Sequence, residues 1–535
     1  MATLPGRPIP EAPVRVALEL RARADRSHHR QLLLLEGDAD WGRTTAQAIA
    51  TAIPDAKTQW IGSASRQGAL PPSKAALLLG GECGLLVIDA HAGFDPDSLG
   101  AAGGTLRSGG LLILLTPELS VWPTITDPEA ERIAVFPYRA ADVGGRFLAR
   151  MARLLAASPA VVRLGQNRPS PNAPESSDWD WSDWESSDWT SPHSRNDPRP
   201  RALLPAAPAN DDQEQVIGAV LKVARGRARR PLVLSADRGR GKSAALGIAA
   251  ARLAADANRR IIVTAPRRSA ARAIFEHARA VDPDAAHRLR FVAPDALLTE
   301  QPDSDLLLVD EAAAIPSPLL QRLLAQHGRV VFSTTIHGYE GTGRGFELRF
   351  RDVLDRMTPG WRDMRLAKPI RWAADDPLER LIHHALLLDA EPAADDQIAE
   401  ALHRSPDAPT TDQSVFETLD RDRLGADEQL LRQVFGLLVL GHYQTRPADL
   451  RHMLDGPNIG VSVLRNGDTL LATALTAREG ALPNQLLAPI FEGRRRPRGH
   501  LLPQTLSAHA GLFDAPRLGF VRILRIAVHP AARGR

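Results

Sequence analysis

Eight consecutive residues, ADRGRGKS from Ala236 to Ser243, have the types and spacing of a loop that binds a polyphosphate. The apolar run Pro231 to Leu234 precedes them and an alanine-rich segment follows, which is the strand, loop and helix order that such a loop needs. Gly239 and Gly241 remove side chains where backbone N–H groups must come close to the phosphates. The sequence therefore predicts a nucleotide-binding loop. The alternative interpretation of the same residues is an arginine-rich surface turn.

Two side chains of this loop have chemical roles of their own. Lys242 would place a positive charge on the β- and γ-phosphates, and Ser243 would offer a hydroxyl to Mg²⁺. The first glycine of the G-x-x-x-x-G-K-[ST] pattern is replaced by Ala236, a residue small enough for the turn. The predicted nucleotide contacts are Ala236, Asp237, Arg238, Gly239, Arg240, Gly241, Lys242, Ser243, Ala244 and Ala245.

A carboxylate pair follows a second apolar run. Leu306 to Val309 has the composition of a fully buried parallel strand, and Asp310 and Glu311 come directly after it. Ligands bind at the carboxyl edge of such sheets, so we expect Asp310 to hold Mg²⁺ through its water shell and Glu311 to orient the attacking water. An aspartate at a strand end can instead cap the next helix.

A third apolar run, Val330 to Phe332, is followed by hydroxyl residues and then by the glycine-rich segment from Gly338 to Gly345. That segment contains Arg344, which is a candidate arginine finger acting in cis on the transferred phosphoryl group. Upstream, Gln213 is a candidate to read the edge of an adenine. Three strand ends in this order predict ATP hydrolysis as well as ATP binding.

These motifs also resemble those of a known family. The loop ADRGRGKSAALG, the acidic segment DEAAAIP and above all FSTTIHGYEGTGRGF, from Phe332 to Phe346, resemble the bacterial tRNA(Met) cytidine acetyltransferases of the RNA cytidine acetyltransferase family. The resemblance continues in FDPDSLGAAGGTLRSGGLLILLTP, GHYQTRPADLRHMLDGPN, FEGRRRPRGHLLPQTLSAHAG and RILRIAVHP. It implies ATP-dependent transfer of acetyl from acetyl-CoA to N4 of the wobble cytidine of elongator tRNA(Met).

The C-terminal residues resemble the acetyl-CoA motif of GNAT-type acetyltransferases. By that resemblance, Ile526, Ala527 and Val528 would line the pantetheine arm, and Arg533, Gly534 and Arg535 would begin the pyrophosphate loop. The family pattern continues with further glycines, a helix, the strands that close the acyl site and an RNA-binding tail. The resemblance therefore implies a chain truncated within its GNAT-type domain.

Acetyl transfer to an amine needs a group that takes the amine proton and donors for the thioester oxyanion. The strand backbone around Val528 is a candidate oxyanion donor. His442 and Glu479 are candidates for the base, although a helix-surface histidine and a strand-end carboxylate are the alternatives. The family's ATPase would remodel the anticodon, because unstacking a base costs a few kcal/mol.

The predicted fold class is α/β with several domains. Residues 1–164 would form a small α/β domain, with strands at Gln31 to Leu35, Leu85 to Ile88 and Leu111 to Leu115. Residues 165–208 would be a disordered linker rich in Trp, Asp, Ser and Pro. Residues 209–372 would form a RecA-like P-loop ATPase domain. Residues 373–535 would form an incomplete GNAT-type domain. The helices predicted in that domain are Leu378 to Leu388 and Asp427 to Leu440, and its predicted strands are Ile459 to Leu464 and Thr469 to Thr476.

Composition and charge limit the cellular compartment and the partners that we expect for the protein. The chain has 535 residues and a single cysteine, Cys83, so no intrachain disulfide can form. The sequence has no signal-peptide pattern and no apolar stretch of membrane-spanning length, which predicts a cytoplasmic protein that binds no membrane. The net charge of +3 is small, so RNA binding depends on local arginine clusters. We expect no obligate protein partner.

Two classes of function remain open at this stage. In the first, the protein is an RNA-modifying acetyltransferase whose ATPase assists the transfer. In the second, it is an RNA-stimulated ATPase or RNA-binding module without transfer activity, because its acyl-CoA site is incomplete.

Overall fold

A computed structural model describes residues 11–63, 66–78, 81–167, 207–255, 259–335, 344–403, 414–441 and 445–534. The chain divides into two compact units. The first comprises Met1–Val161, Thr335–Asp352 and Arg371–Arg535, and the second comprises Val162–Thr334 and Val353–Ile370. The predicted linker, residues 165–208, lies outside the described residues except at its two ends.

The N-terminal part of the chain forms a six-stranded sheet in the order β3-β2-β4-β5-β1-β6, in which β1, β2, β3, β4 and β5 pair in parallel. Its strands are β1 (Gln31–Glu36), β2 (Thr58–Ile61), β3 (Ala69–Leu70), β4 (Cys83–Asp89), β5 (Leu106–Thr116) and β6 (Val161–Gly165). Its helices are α1 (Glu11–Ser27), α2 (Ala39–Ala52), α3 (Pro96–Gly103), α4 (Ala130–Ile133) and α5 (Arg146–Ala157). Strands β1 and β4 are buried along their whole length, as continuous apolar runs in parallel sheets are.

The second unit contains a six-stranded sheet in the order β12-β7-β11-β10-β8-β9. Its strands are β7 (Leu232–Ala236), β8 (Ile261–Thr264), β9 (Leu289–Phe291), β10 (Leu306–Val309), β11 (Val330–Thr335) and β12 (Arg362–Leu366). The helices of this part of the chain are α6 (Asp211–Arg225), α7 (Lys242–Ala255), α8 (Arg272–Val281), α9 (Pro283–Arg288), α10 (Pro294–Glu300), α11 (Ser317–Gln326) and α12 (Arg344–Met357). Its parallel pairings confirm the predicted α/β class.

The C-terminal part of the first unit carries an antiparallel sheet in the order β13-β14-β15-β16. Its strands are β13 (Ser414–Thr418), β14 (Ile459–Asn466), β15 (Thr469–Gly480) and β16 (Gly519–Val528). Its helices are α13 (Pro377–Ala385), α14 (Asp395–His403), α15 (Arg421–Ala426), α16 (Glu428–Gly441), α17 (Pro447–Asp455), α18 (Leu487–Phe491) and α19 (Leu501–Ala508). Short 3-10 helices elsewhere span Pro72–Leu78, Ala90–Ala92, Trp122–Thr124, Ala140–Asp142, Ala312–Ala314, Asn484–Leu486, Ala515–Arg517 and Pro530–Ala532.

One hydrophobic core runs through the whole first unit. It contains Leu86 and Phe147 from the N-terminal sheet and its helices, and Leu450, Val461 and Leu475 from the C-terminal helices and sheet. Apolar burial is the main favourable term in folding. We therefore expect the N-terminal and C-terminal parts of this unit to stabilise each other.

Buried arginines reinforce that core. Arg451 on α17 is 3% exposed, and its Nη2 lies 3.1 Å from Asp127 Oδ2 while its Nη1 donates to the carbonyl oxygen of Phe94. Arg30 is 2% exposed and donates through Nη2 to Asp376 Oδ1 at 2.8 Å. Buried charges need such partners to offset the loss of hydration.

In the part of the chain that the structure describes, no helix is both long enough and apolar enough to cross a bilayer.

Candidate functional site

The predicted phosphate loop connects β7 to α7 in the second unit. Strand β7 ends at Ala236, and α7 begins at Lys242, so the five residues between them form the turn. Gly239 and Gly241 have φ values of +78° and +82°, a conformation that glycine adopts without the strain a side chain would bring. The two glycines therefore stand where the backbone requires them.

Gly241 is also sterically constrained. A Cβ atom at this position would lie 2.1 Å from Nε2 of Gln213 and 2.8 Å from Cδ1 of Ile370. Gln213 is buried, accepts from the Ala209 backbone N–H at 2.7 Å and donates to the Gly241 carbonyl oxygen at 3.1 Å. The amide nitrogen of Gln213 thus holds the loop backbone, its amide oxygen holds the chain just before α6, and its role in reading adenine stays a prediction.

The loop and the acidic pair meet in one place. Lys242 Nζ lies 3.3 Å from Glu311 Oε1, and the Ser243 hydroxyl donates to Asp310 Oδ2 at 3.0 Å. Glu311 follows β10 with a φ of +48°, and its backbone N–H donates to Asp310 Oδ1 at 3.0 Å. Lys242 and Glu311 are 69 positions apart in the sequence, and Ser243 and Asp310 are 67 positions apart. The four side chains therefore form a single cluster at the carboxyl edge of the sheet.

A buried carboxyl lies at the centre of the cluster. Asp310 is 1% exposed, and burial raises the pKa of its carboxyl above the ordinary value, with the neighbouring Glu311 carboxylate raising it further. Lys242 and the Ser243 hydroxyl act in the opposite direction. A divalent cation beside Asp310 and Glu311 would favour the charged form of both carboxyl groups.

The donor set at this edge fits a hydrated Mg²⁺. Carboxylate and hydroxyl oxygens are the ligands that Mg²⁺ prefers, and it retains several waters. The hydroxyls of Thr264 and Thr334, at the ends of β8 and β11, are buried and have no hydrogen-bond partner among the described residues. Buried polar atoms without a partner are costly, so water or phosphate oxygens at this edge would satisfy them.

The remaining loop residues have mostly structural contacts. The buried Arg240 donates through Nε to the Ala367 carbonyl oxygen at 3.1 Å and through Nη1 to the Arg238 carbonyl oxygen at 3.1 Å, and Asp237 lies 3.9 Å from its Nη2. Ala244 and Ala245 are buried in the first turn of α7, and the Ala245 backbone N–H donates to the Gly241 carbonyl oxygen at 2.9 Å. Arg344 begins α12, and its side chain lies outside the described residues, as do residues 336–343.

The second predicted site is at the edge of the C-terminal sheet. Strand β16 pairs with β15, with Val528 opposite Ala472 and Ala527 opposite Thr473, and it is the last strand in the sheet order. The register shifts between Leu475 and Thr476, so that Leu524 of β16 has no partner across the pair. A bulge of this kind leaves one residue unpaired and disrupts the ladder locally.

The residues predicted to line the pantetheine arm alternate between exposed and buried positions along β16. Ile526 and Val528 are 59% and 40% exposed, whereas Ala527 is buried against the sheet. His529 follows, with Nε2 2.9 Å from the Ala393 carbonyl oxygen and Nδ1 accepting from Ala531. Arg533 and Gly534 are exposed after a 3-10 turn, and Arg535 lies outside the described residues.

The two candidate bases differ. Residues 442–444, and with them His442, lie outside the described residues. The Glu479 side chain is fully buried, its Oε2 accepts from the Leu502 backbone N–H at 2.8 Å, and its Oε1 accepts from Arg522. A carboxylate with both oxygens engaged is well placed to position β15 and β16, and its role as base stays a prediction.

Sequence reasoning missed a cavity of about 250 Å³ beside the β16 bulge. Arg525 lines it and donates to the Thr445 hydroxyl at 2.9 Å and to Asp449 Oδ2 at 2.6 Å. His452 lines it as well, its Nε2 is buried without a partner among the described residues, and burial lowers the pKa of its imidazole. The signal available in the sequence was an arginine inside the apolar run of β16, which needs a buried partner.

Three family profiles match consecutive parts of the chain. Residues 12–166 match the tRNA(Met) cytidine acetyltransferase TmcA N-terminal family. Residues 233–389 match the helicase domain of RNA cytidine acetyltransferase NAT10/TcmA, and residues 433–535 match GNAT acetyltransferase 2. A helicase domain implies nucleotide binding, and a GNAT domain implies acetyl-CoA.

Curated relatives match along nearly the whole chain. A protein named tRNA(Met) cytidine acetyltransferase TmcA from Nitrosococcus halophilus is 46% identical over 97% of this chain and 68% of its own length. Proteins of the same name from Haloferax volcanii and Vibrio cholerae are 37% and 36% identical over 97% of this chain, and over 70% and 67% of their own lengths. Among solved structures, the Pif1 helicase from Candida albicans aligns with 39% of this chain and 58% of its own at 15% identity, with a TM-score of 0.22 that supports no argument about function.

Proposed function

The chain belongs to the tRNA(Met) cytidine acetyltransferase TmcA family, and from that premise we propose that it transfers acetyl from acetyl-CoA to N4 of the wobble cytidine of elongator tRNA(Met) in an ATP-dependent reaction. The observation that carries the proposal is the 46% identity to a TmcA protein over 97% of the chain, which includes both the loop cluster and the C-terminal strands. The geometry of the two sites supports its two chemical parts.

The loop cluster would bind and hydrolyse ATP. Lys242 contacts the β- and γ-phosphates, and Ser243 and Asp310 hold Mg²⁺, which neutralises phosphate charge when bound. Glu311 orients the attacking water, and Arg344 acts as an arginine finger in cis. The 3.3 Å separation of Lys242 Nζ and Glu311 Oε1 supports this proposal, because it brings a cationic and an acidic side chain together beside the loop.

The edge of β16 would hold the acetyl donor. Ile526, Ala527 and Val528 lie along the pantetheine arm, with Arg533, Gly534 and Arg535 at the pyrophosphate. When bound, acetyl-CoA would supply a thioester. N4 would bond to its carbonyl carbon, the carbon–sulfur bond would break, and coenzyme A would leave as a thiolate. The backbone N–H groups near the Leu524 bulge are donors for the carbonyl oxygen on which negative charge develops.

The cavity beside the bulge would receive the cytosine. Arg525, fixed by Asp449 and Thr445, still has N–H groups to donate to O2 and N3 of the base. His442 or Glu479 would take the N4 proton, and His452 Nε2 is an additional acceptor beside the cavity. A buried base must leave its stack to reach this cavity, and unstacking costs a few kcal/mol that ATP hydrolysis would offset.

The proposed reaction also indicates the compartment and the partners of the protein. We place the protein in the cytoplasm with tRNA as its partner and without an obligate protein partner. We keep the division into an N-terminal domain at residues 1–164, a linker at 165–208, an ATPase domain at 209–372 and a GNAT-type domain at 373–535 as part of the proposal.

The test uses the chain with elongator tRNA(Met), ATP, Mg²⁺ and acetyl-CoA labelled in the acetyl group. Mass spectrometry of the digested tRNA should show N4-acetylcytidine, and a matched tRNA with uridine at the wobble position should show none. Omitting ATP should lower the yield.

An RNA-stimulated ATPase without transfer is the competing function. It would be favoured if tRNA stimulates ATP hydrolysis while calorimetry detects no acetyl-CoA binding to the same chain. Absence of both activities would contradict the proposal.

A further inference from the structure

A small cavity lies at the carboxyl edge of the N-terminal sheet, outside both sites described above. Its volume is about 120 Å³, and it lies where β2 and β4 end, lined by Trp60 and Gly62 on the β2 side, Asp89 on the β4 side, and Arg43 and Arg66. Ligands of parallel α/β sheets bind at this edge. The cavity is therefore in the position where such a fold offers a site, although no glycine-rich phosphate loop is present.

Both arginines are held in place by contacts of their own. Arg43 on α2 donates through Nε to Asp89 Oδ2 at 2.8 Å. The Arg66 guanidinium stacks on Trp60 with its central carbon 3.5 Å from the ring centroid, and its Nη2 donates to the side-chain oxygen of Gln47. Side chains fixed in advance lose less entropy when they bind a ligand.

The contacts leave one strong donor without an acceptor. Arg66 Nε is buried and has no hydrogen-bond partner among the described residues. Burial lowers the pKa of the Arg66 guanidinium, and the nearby Arg43 lowers it further, while Asp89 opposes both. Arg43 also lies 3.8 Å from the exposed Asp40 carboxylate, so the two guanidinium groups have two carboxylates nearby. An anion in the cavity would supply the acceptor that Arg66 Nε lacks.

The space beside Asp89 depends on a glycine. A Cβ atom at position 62 would lie 2.9 Å from Asp89 Cβ, so a larger residue at Gly62 would push against the carboxylate that orients Arg43. A tetrahedral oxyanion fits a cavity of this volume, and arginine forks match the geometry of phosphate oxygens.

We propose that the Arg43–Arg66 cavity binds a phosphate group. The phosphate comes from the backbone of the RNA substrate or from a free phosphate or nucleotide, and these two sources share the same chemistry. The RNA source rests on the proposed function, whereas the free-phosphate source does not. The N-terminal sheet then has a binding role in addition to its structural one.

The experiment compares the whole chain with its Arg66→Gln and Arg66→Lys variants. The matched control is Arg21→Gln, because Arg21 pairs with the exposed Asp55 and does not line the cavity. Two probes are used on each protein: tRNA binding measured over a series of salt concentrations, and thermal unfolding with and without inorganic phosphate. A cooperative thermal transition without phosphate, together with a far-ultraviolet circular dichroism spectrum like that of the parent chain, checks that every variant is folded.

If RNA supplies the phosphate, Arg66→Gln should weaken tRNA binding several-fold and make the slope of log K against log salt shallower by about 1. If free phosphate is the ligand, phosphate should raise the melting temperature of the parent chain and not that of Arg66→Gln, with tRNA binding unchanged. Arg66→Lys, which keeps the charge but lacks the guanidinium fork, should recover only part of either effect.

The proposal is overturned if folded Arg66→Gln matches the Arg21→Gln control in tRNA affinity, salt slope and phosphate protection. It is also overturned if Arg66→Lys, folded, behaves like the control in all three while Arg66→Gln fails to fold, because the cavity arginine would then act only in packing. Failure of the acetyltransferase proposal would be seen instead in the parent chain, as absent acetyl transfer.

Discussion

The nucleotide loop and the edge of the C-terminal sheet differ in how they bring their side chains together. At the loop, a strand, a turn and a helix start supply most of the groups within the eight residues Ala236 to Ser243, and the end of one neighbouring strand supplies the acids. At the sheet edge, Glu479 is held by Arg522, 43 positions away, and by Leu502, 23 positions away.

The loop site is fixed mainly by residues that are close in the sequence, whereas the sheet-edge site depends on contacts between residues that are far apart in the sequence. A loop between two regular elements is fixed by backbone geometry, so glycine spacing alone indicates it. A side chain between two antiparallel strands can be catalytic or structural, and only its partners decide. The loop site is therefore easy to test by single substitutions, whereas the sheet edge needs paired ones.

The largest effect should come from Lys242→Ala. Removal of the ammonium next to Glu311 takes away the charge that stabilises the phosphoryl group, so ATP turnover should fall by at least about a hundredfold. Steady-state ATPase measurements test this. Acetyl-CoA binding should stay unchanged, and a loss of both would show that the two regions are not chemically independent.

Gly241→Ala should have the next largest effect. The added Cβ would lie 2.1 Å from Gln213 Nε2 and would occupy a φ of +82°, so unfolding should require about 3 kcal/mol less and ATP affinity should drop with it. Gly467→Ala is the control, because its φ is +58° and no atom lies within 4 Å of its Cβ. Equal losses in urea unfolding would show that backbone strain alone matters.

The stability of the first unit should depend on pH through one buried carboxyl group. Burial raises the pKa of Asp455 from 3.8 to about 6, so the folded chain binds a proton that the unfolded chain does not bind between these two values. The stability from this group is complete below pH 4 and is lost as the pH rises through about 6. The unfolding free energy of the parent, relative to Asp455→Asn, should fall by about 2 kcal/mol between pH 4.5 and 7.5. A flat difference would contradict the assignment.

The smallest effect should come from Arg522→Gln. It leaves the buried Glu479 carboxylate without its cation, and because the Arg522 side chain is about a third exposed we expect a loss of about 1 kcal/mol in urea unfolding. Glu479→Gln sharpens the test. If Glu479→Gln abolishes acetyl transfer at unchanged stability, Glu479 acts as the base, and parallel losses indicate that it positions the strands.

The sequence predicted the fold best where apolar runs were continuous. The runs at Leu85 to Ile88 and Leu306 to Val309 became the buried strands β4 and β10. Strand β5 starts at Leu106, five residues before the predicted run, because Gly109 and Gly110 interrupt the hydrophobic pattern without ending the strand. The short strand β3 has only two residues and little pattern to recognise.

The candidate sites were predictable where their residues follow parallel strands that end at the same edge of a sheet. Strand order brought Lys242 next to Glu311, as parallel strands ending at one edge require. The backbone contacts of Gln213 and the pairing of Arg525 with Asp449 could not be predicted, because they depend on how helices pack on their sheets. Periodicity shows which face of an element is buried and leaves the partner of each polar group unspecified.

The pairing of Arg30 with Asp376 joins residues that are 346 positions apart. During synthesis at roughly 5–20 residues per second, the arginine leaves the ribosome about 20–70 seconds before its carboxylate is made. For that time the nascent N-terminal sheet carries an unneutralised cation at a position meant for the protein interior. The second unit, encoded between the two, has time to fold first, and molecular chaperones have a defined interval in which to protect the waiting segment.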